Sequence, residues 1–269
     1  MATFEAVARE AAGRAGDVLR RHFGRVREVR HKGDVDLVTA ADREAEAVIL
    51  EGLRTRFPEH RVVAEESGEH PGGTDYVWYV DPLDGTTNFV HGVPHFAVSI
   101  ALAAEGQLVA AVVHDPMRHE TFHATRGSGA FLNGQRIAVS TAASLDVALV
   151  ATGFPYDRRQ AAGEYVPTFE AVLRRTQDIR RAGAAALDLA YVACGRFDGY
   201  WESGLQPWDT AAGSLLVSEA GGCVSSYDGS RPVVPYRDIV ATNGALHDAL
   251  RALILASRSA PSVDGSRGL

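Results

Sequence analysis

The stretch Asp81-Pro82-Leu83-Asp84-Gly85-Thr86-Thr87-Asn88 follows an apolar run, Tyr76-Val77-Trp78-Tyr79-Val80, that reads as a buried strand. Asp81 and Asp84 stand three residues apart at its end, and Pro82 between them fixes the backbone near φ of about −65°. That arrangement aims two carboxylates at one hard cation. Gly85 removes a side chain where backbone N–H groups can approach a phosphate, and Thr86 and Thr87 are good N-cap residues for a short helix. Exposed N–H groups and the positive end of a helix dipole suit an anion. The same residues also fit a type I turn, Asp first and Pro second, followed by an N-cap. Taken alone, the motif leaves both readings open.

A chain of 269 residues with 46% hydrophobic content can bury a large core, as one domain or as two closely packed lobes. We read a single unit over residues 1–256, with lobes of about 1–145 and 146–256. A formal charge of −7, with no Lys/Arg-rich run, argues against a nucleic-acid binder that works by neutralising phosphates. Cys194 and Cys223 fall in apolar segments, which predicts buried thiols rather than a disulfide or zinc site and fits a reducing cytosol. The N-terminus lacks a basic then apolar signal pattern, and no apolar run approaches the roughly 18 residues of a membrane span. A cytoplasmic protein without membrane partners is the expectation.

Phe4, Val7, Ala8, Ala11, Ala15, Val18 and Leu19 recur at helical spacing before Gly24. A charged, irregular stretch follows, and then Thr39 and Asp42 at the spacing of a capping box, so a second helix begins near Thr39. Its apolar face is Ala45, Val48, Ile49 and Leu53, and it ends before Pro58. Arg61 to Ala64 reads as a strand, with Glu65 and Glu66 where it leaves the sheet. Acids at a strand end are usually solvated surface. A second acid-bearing strand end nearby changes the reading, because ligands of open α/β sheets sit outside the carboxyl ends of strands.

Phe96, Val98, Ile100 and Leu102 alternate, Glu105-Gly106 turns the chain, and Leu108 to Val113 returns, which predicts an antiparallel hairpin. Thr121 to Ala124 and the Asn133-Gly134 turn extend it into a meander. His91, His95, His114, His119 and His123 have no metal-ligand spacing and read as structural or surface residues. A strand at Ala148 to Thr152, a Gly-Phe-Pro loop and a helix carrying Phe169, Val172 and Leu173 open the second half. Gly183 to Cys194 reads as a helix stopped by Gly195, and Phe197 to Glu202 as a strand. Asp209 opens a helix that stops at Gly221-Gly222; on local grounds alone it is a dipole-complementing acid. Ile239 to Thr242 with Leu246, Leu250, Leu253 and Ile254 forms the last strand-helix unit, and residues 257–269 are expected to be a disordered tail.

Four motifs in register resemble the inositol monophosphatase family of metal-dependent sugar and cyclitol phosphatases. They are Asp81-Pro82-Leu83-Asp84-Gly85-Thr86-Thr87-Asn88-Phe89, then Trp208-Asp209-x-Ala211-Ala212-Gly213 with Glu219-Ala220-Gly221-Gly222, Val35-Asp36-Leu37-Val38-Thr39-x-x-Asp42, and Ala64-Glu65-Glu66-Ser67. The resemblance implies a mixed α+β fold, a layered αβαβα sandwich with two β-sheets, usually dimeric. Our element list is compatible with that fold without ordering its strands.

By the same resemblance Glu65, Asp81, Asp84 and Asp209, with the Leu83 carbonyl, are the metal ligands. An all-oxygen set suits Mg²⁺ and disfavours zinc. Four carboxylates would repel a phosphate monoester dianion, so two or three divalent cations are expected to precede substrate. The resemblance places the phosphate at Gly85 and Thr86 and makes water the nucleophile, activated by metal and oriented by Glu65 and Thr86, with Asp42 as the partner of Thr86. It also implies lithium sensitivity. Gly183, Ala184 and Ala185 would line the alcohol pocket, where Glu202 would accept hydroxyl hydrogen bonds beside Glu65, Leu83, Asp84 and Asp209. The implied reaction is hydrolysis of inositol 1-phosphate or a related polyol monophosphate. Fructose 1,6-bisphosphate, histidinol phosphate, NADP and 3′-phosphoadenosine 5′-phosphate are other substrates of this scaffold. A non-catalytic regulatory protein is the alternative from another class, and it predicts lost acids, whereas none is missing.

Overall fold

A computed structural model describes residues 3–25, 29–31, 37–231 and 237–259. The chain opens with α1 (Phe4–His22), β1 (Val29–His31), β2 (Leu37–Thr39) and α2 (Ala40–Arg56), followed by β3 (His60–Ala64), β4 (Gly68–His70) and β5 (Gly73–Asp84). A short α3 (Thr86–Val90) leads into the meander β6 (Ala97–Ala104), β7 (Gln107–Asp115), β8 (Glu120–Thr125), β9 (Gly129–Leu132) and β10 (Gln135–Ile137). The second half runs β11 (Leu149–Thr152), α4 (Arg158–Leu173), β12 (Asp178–Arg180), α5 (Ala185–Ala193) and β13 (Gly199–Ser203). It closes with α6 (Pro207–Glu219), β14 (Cys223–Ser225), β15 (Asp238–Thr242) and α7 (His247–Ser259).

Two mixed sheets carry the architecture, in the orders β10-β9-β8-β7-β6-β5-β3-β4 and β12-β11-β13-β15-β14. One apolar cluster joins α1 and α2 to one face of the larger sheet, through Leu19, Ile49, Trp78 and Ile100. A second holds α5 and α6 between the sheets, through Ala101, Leu189, Leu216 and Tyr200. A third packs the far face of the smaller sheet on α4 and α7, through Val150, Trp201, Val172 and Leu250. The result is the five-layer αβαβα sandwich that the family resemblance implies.

The alternation in β6 sorts side chains by size rather than by polarity. Val98, Ile100 and Leu102 face the first helix layer, whereas Ala97, Ala101 and Ala103 face α5 and α6. Strand side chains alternate between faces, so a central strand covered on both sides is apolar on both, with the buried Ser99 as the exception in β6. Small residues on the inner face let α6 lie close enough for Ser99 Oγ to donate to the Trp208 carbonyl at 3.1 Å. Glu105 and Gly106 (φ 49° and 72°), like Asn133 and Gly134 (φ 49° and 80°), adopt the positive φ of two-residue hairpin turns.

Several expectations are corrected. The Asp81–Asp84 segment is neither turn nor bare strand end but the last part of β5, and α3 is capped by Gly85 (φ 94°) rather than by a threonine. The helix expected from Gly183 begins at Ala185. Both cysteines are free thiols and only partly buried. Residues up to Ser259 continue α7, so that part of the expected tail is helical; the rest of it, like Val35 and Asp36 of the third motif, lies outside the described residues. Among the described residues no helix is long and apolar enough to cross a membrane.

α5 and α6 pack tightly at Gly213, where an added Cβ would lie 2.4 Å from Leu189 Cβ. Glycine normally weakens a helix interior by roughly 1 kcal/mol relative to alanine. Here the sign reverses: Gly213→Ala overpacks the interface and is expected to lower stability by about 1–3 kcal/mol in urea unfolding. A stabilised variant would contradict the packing.

Candidate active site

β3 and β5 are parallel, with Ala64 opposite Val80, so their carboxyl ends emerge together and Glu65 leaves the sheet beside Asp81. The Glu65 N–H donates to the Val80 carbonyl (3.1 Å), and the Glu66 N–H donates to the buried Glu46 carboxylate of α2 (2.9 Å). On its other side β5 pairs with β6, Asp81 opposite Ser99 and Asp84 opposite Ala97. Three steps on β5 therefore face two on β6, which is a bulge of one residue. In a regular strand residues three apart point to opposite faces; the bulge restores Asp81 and Asp84 to one side. Pro82, which has no N–H to give a ladder, occupies the bulge, and the Leu83 N–H donates to Asp81 Oδ1 at 2.9 Å.

Asp84 reaches across to the second half of the chain. Its carboxylate accepts from the N–H groups of Ala185 (3.1 Å) and Ala186 (2.8 Å), capping α5, whose own N-cap residue Ala184 has no acceptor. Gly85 fits between these parts because a Cβ there would lie 3.1 Å from the His95 carbonyl and 3.3 Å from that of Gly183. Asn88 ties the same loops, donating to the carbonyls of His95 (2.8 Å) and Ala182 (2.9 Å). Asp209 is the third residue of α6, and its Oδ2 accepts from the Gln206 N–H at 2.7 Å, so the capping role read locally is real. Thr86 Oγ1 lies 3.1 Å from the Leu83 carbonyl and 3.3 Å from Asp42 Oδ1; Oδ2 of Asp42 is held by Thr39 as the capping box of α2.

The acids are electrostatically frustrated. Burial pushes Asp81 well above the usual carboxylate range, and the charges of Glu65, Asp84 and Asp209 push it further. Asp209 is raised by burial and then by Glu65, Asp84 and Glu202, against the pull of the Gln206 N–H. Asp84 is raised to about 6 by burial, opposed by the N–H groups of α5. A hard divalent cation would relieve this repulsion, and the donors present, carboxylates and the Leu83 carbonyl, are oxygens. Among the described residues no three Asp, Glu, His or Cys side chains close into a metal cage. The acids line an open pocket, which suits a cation that keeps several waters.

That pocket encloses about 360 Å³. Of the residues singled out in the sequence, Glu65, Asp84, Gly85, Thr86, Gly183, Ala185, Glu202 and Asp209 line it, while Asp42, Asp81, Leu83 and Ala184 lie behind its wall. Glu202 comes from β13 and receives the Tyr200 hydroxyl at 2.5 Å. Gly153, read from sequence only as loop, is required beneath it, since a Cβ there would fall 1.9 Å from Glu202 Oε2. Burial raises Glu202 to about 7, while the Tyr200 hydrogen bond and the Arg181 charge pull it down. Sequence reasoning also missed Arg158 and Arg181 on the wall and Asp188, buried behind it with Oδ1 unpartnered. Each is locally an ordinary helix or loop residue.

The inositol monophosphatase family model matches residues 1–260. The chain belongs to the inositol monophosphatase family. It is 49% identical over 249 residues to Nus factor SuhB of Salmonella typhimurium strain LT2, covering 91% of this chain and 93% of that protein. It is 47% identical over 258 residues to inositol-1-monophosphatase of Synechocystis sp., covering 95% and 90%. Among solved structures, extragenic suppressor protein suhB from Bartonella henselae superposes with a TM-score of 0.89 at 44% identity, covering 92% of this chain and 96% of that one.

Glu202 has a folded-state pKa near 7 against an ordinary 4.5, so the folded protein holds its proton more tightly than the unfolded chain. That contribution to stability is complete below about 4.5 and lost as pH rises through about 7. In chelator, Glu202→Gln should therefore gain thermal stability relative to wild type at pH 8 compared with pH 5. Parallel Tm–pH curves for the two proteins would contradict this.

Proposed function

We propose that the chain is a Mg²⁺-dependent phosphomonoesterase that hydrolyses inositol 1-phosphate or a related polyol monophosphate to the alcohol and phosphate. The observation that carries this reading is the frustration of the pocket acids. Glu65, Asp84 and Asp209 face one cavity with Asp81 behind them; burial disfavours the charged forms of Asp81, Asp84 and Asp209, and neighbouring carboxylates push Asp81 and Asp209 further, until cations compensate them.

Glu65, Asp81, Asp84, Asp209 and the Leu83 carbonyl would hold two or three Mg²⁺ ions. When bound, Mg²⁺ supplies Lewis-acid polarisation of the phosphate and a lowered pKa for water. The rest is work for this chain's own groups. Gly85 and Thr86 present N–H groups to the phosphate, with Gly85 kept free of a side chain by its close neighbours. The Thr86 hydroxyl donates its hydrogen bond to Asp42 or to the Leu83 carbonyl, which leaves an oxygen lone pair to orient a water jointly with Glu65. Asp42 is thus a positioning residue for Thr86. Glu202, steadied by Tyr200, accepts hydrogen bonds from polyol hydroxyls, while Gly183 and Ala185 give the ring its room.

A panel of phosphate esters at fixed free Mg²⁺, scored by kcat/KM, tests the reading directly. Asp84→Asn should lose at least ~10²-fold in kcat, the scale of removing charge support at a metal-assisted site. Full activity in excess chelator would refute the metal requirement.

Glu202→Gln keeps the side chain's shape but removes a charge-assisted acceptor worth roughly 1.5–3 kcal/mol. kcat/KM for inositol 1-phosphate should fall roughly 10- to 100-fold. The fall for p-nitrophenyl phosphate, which offers no hydroxyls, should be about tenfold smaller. Equal losses on both esters, or an altered Mg²⁺ requirement, would move Glu202 out of substrate recognition.

A further inference from the structure

Glu65 stands in the turn between β3 and β4, and the sheet alone holds that turn weakly. Three residue pairs join the two strands, Ala64 with Gly68, Val63 with Glu69 and Val62 with His70, and β4 is the last strand of the larger sheet. An edge strand takes ladder bonds from one side only. A hairpin end of this kind belongs to the low-stability part of a fold unless other contacts tie it down.

Two ties outside the ladder reach the turn, and both start from α2. The Glu46 carboxylate accepts from the Glu66 N–H at 2.9 Å, one residue beyond Glu65. The other tie runs through His70. Arg54, in the last turn of α2, places Nη2 2.7 Å from His70 Nδ1, and His70 Nε2 lies 2.5 Å from Ser67 Oγ. A guanidinium offers donors only, so Nδ1 is an acceptor and the neutral ring carries its proton on Nε2. Nε2 then donates to the Ser67 hydroxyl oxygen. The relay crosses from α2 to the residue two beyond Glu65. Ser67 is exposed, so the relay adds little to the core. What it fixes is the path of the turn. Asp42, in the first turn of the same helix, accepts from Thr86, so α2 reaches the pocket at both of its ends.

We propose that His70 is a positioning residue for Glu65: its neutral ring relays Arg54 to Ser67 and, together with Glu46, holds the turn that presents Glu65 to the pocket. The inference rests on the reading of Glu65 as a metal ligand and adds to it a residue that lies outside the pocket. Its rival is that His70 only pins the edge of the sheet.

Three variants of the full chain separate the two. His70→Ala cuts the relay in the middle, and Ser67→Ala cuts its far end at an exposed position where folding is not at stake. His70→Gln preserves it, because the amide carbonyl can accept from Arg54 while the amide nitrogen donates to Ser67. In metal-free protein, the two alanine variants should speed amide exchange at Glu65 and Glu66 several-fold, the scale of one hydrogen bond. With Mn²⁺ as the probe, both should raise the dissociation constant roughly tenfold, the lower end of what outer-shell partners of a metal ligand contribute, and His70→Gln should restore most of the loss. Mn²⁺ bound as tightly by both alanine variants as by wild type would overturn the proposal, whatever the change in Tm. So would a loss in His70→Gln as large as in His70→Ala. Wild-type protein without measurable Mn²⁺ affinity would contradict the metal reading itself, an outcome distinct from wild-type binding that the variants leave unchanged.

Discussion

The Asp84 carboxylate ties the two halves of the chain together at the pocket. It ends the strand β5, accepts from the first N–H groups of α5 and faces the pocket. A helix whose N-cap is alanine leaves its first N–H groups without a local acceptor, and here the acceptor arrives from 101 residues earlier in the chain. Capping by a carboxylate is worth about 1 kcal/mol as local structure. Its larger consequence is geometric, because it sets the distance between the acids of the first half and Gly183, Ala185 and Glu202 of the second. The bulge at Pro82 is what turns Asp84 far enough to do this.

The site is held by ordinary structural bonds that each carry a second duty. Asp42 is a helix capping residue and the acceptor for Thr86; Asp209 is a helix capping residue and a wall of the pocket. Ser99 fixes the start of α6 through the Trp208 carbonyl, and Glu46 fixes the turn that carries Glu65. Such dual use positions charged groups through the hydrogen bonds that already end helices and strands. The cost is burial of carboxylates in a poorly solvated place, which raises the pKa values of Asp81, Asp84 and Asp209, with neighbouring negative charge adding to it at Asp81 and Asp209. Repulsion of that kind is tolerated where function needs it.

Elements governed by neighbours in sequence were legible. The capping box at Thr39 and Asp42, the Glu105-Gly106 and Asn133-Gly134 turns, and the alternation of Val98, Ile100 and Leu102 along β6 all follow from local rules. Glu65 and Asp81 could be suspected of convergence from two acid-bearing strand ends, and parallel pairing of β3 and β5 brings them together. What could not be read depends on partners far away in the chain. The bulge exists only through pairing with β6, and Gly153 matters only because Glu202 lies against it. Three-residue strands such as β12 and β14 are too short to show a period. Arg181 carries no motif, and only the fold brings it to the pocket wall.

The central claim is that these acids are gathered to hold divalent cations against a phosphate. Crystals grown with Mn²⁺ in place of Mg²⁺, with inorganic phosphate added, would report this through anomalous scattering. The account requires ordered Mn²⁺ peaks bound by Glu65, Asp81, Asp84 and Asp209 and by the Leu83 carbonyl, with phosphate beside the Gly85 and Thr86 N–H groups. A map with no metal at these acids, or with metal bound only elsewhere, would contradict it.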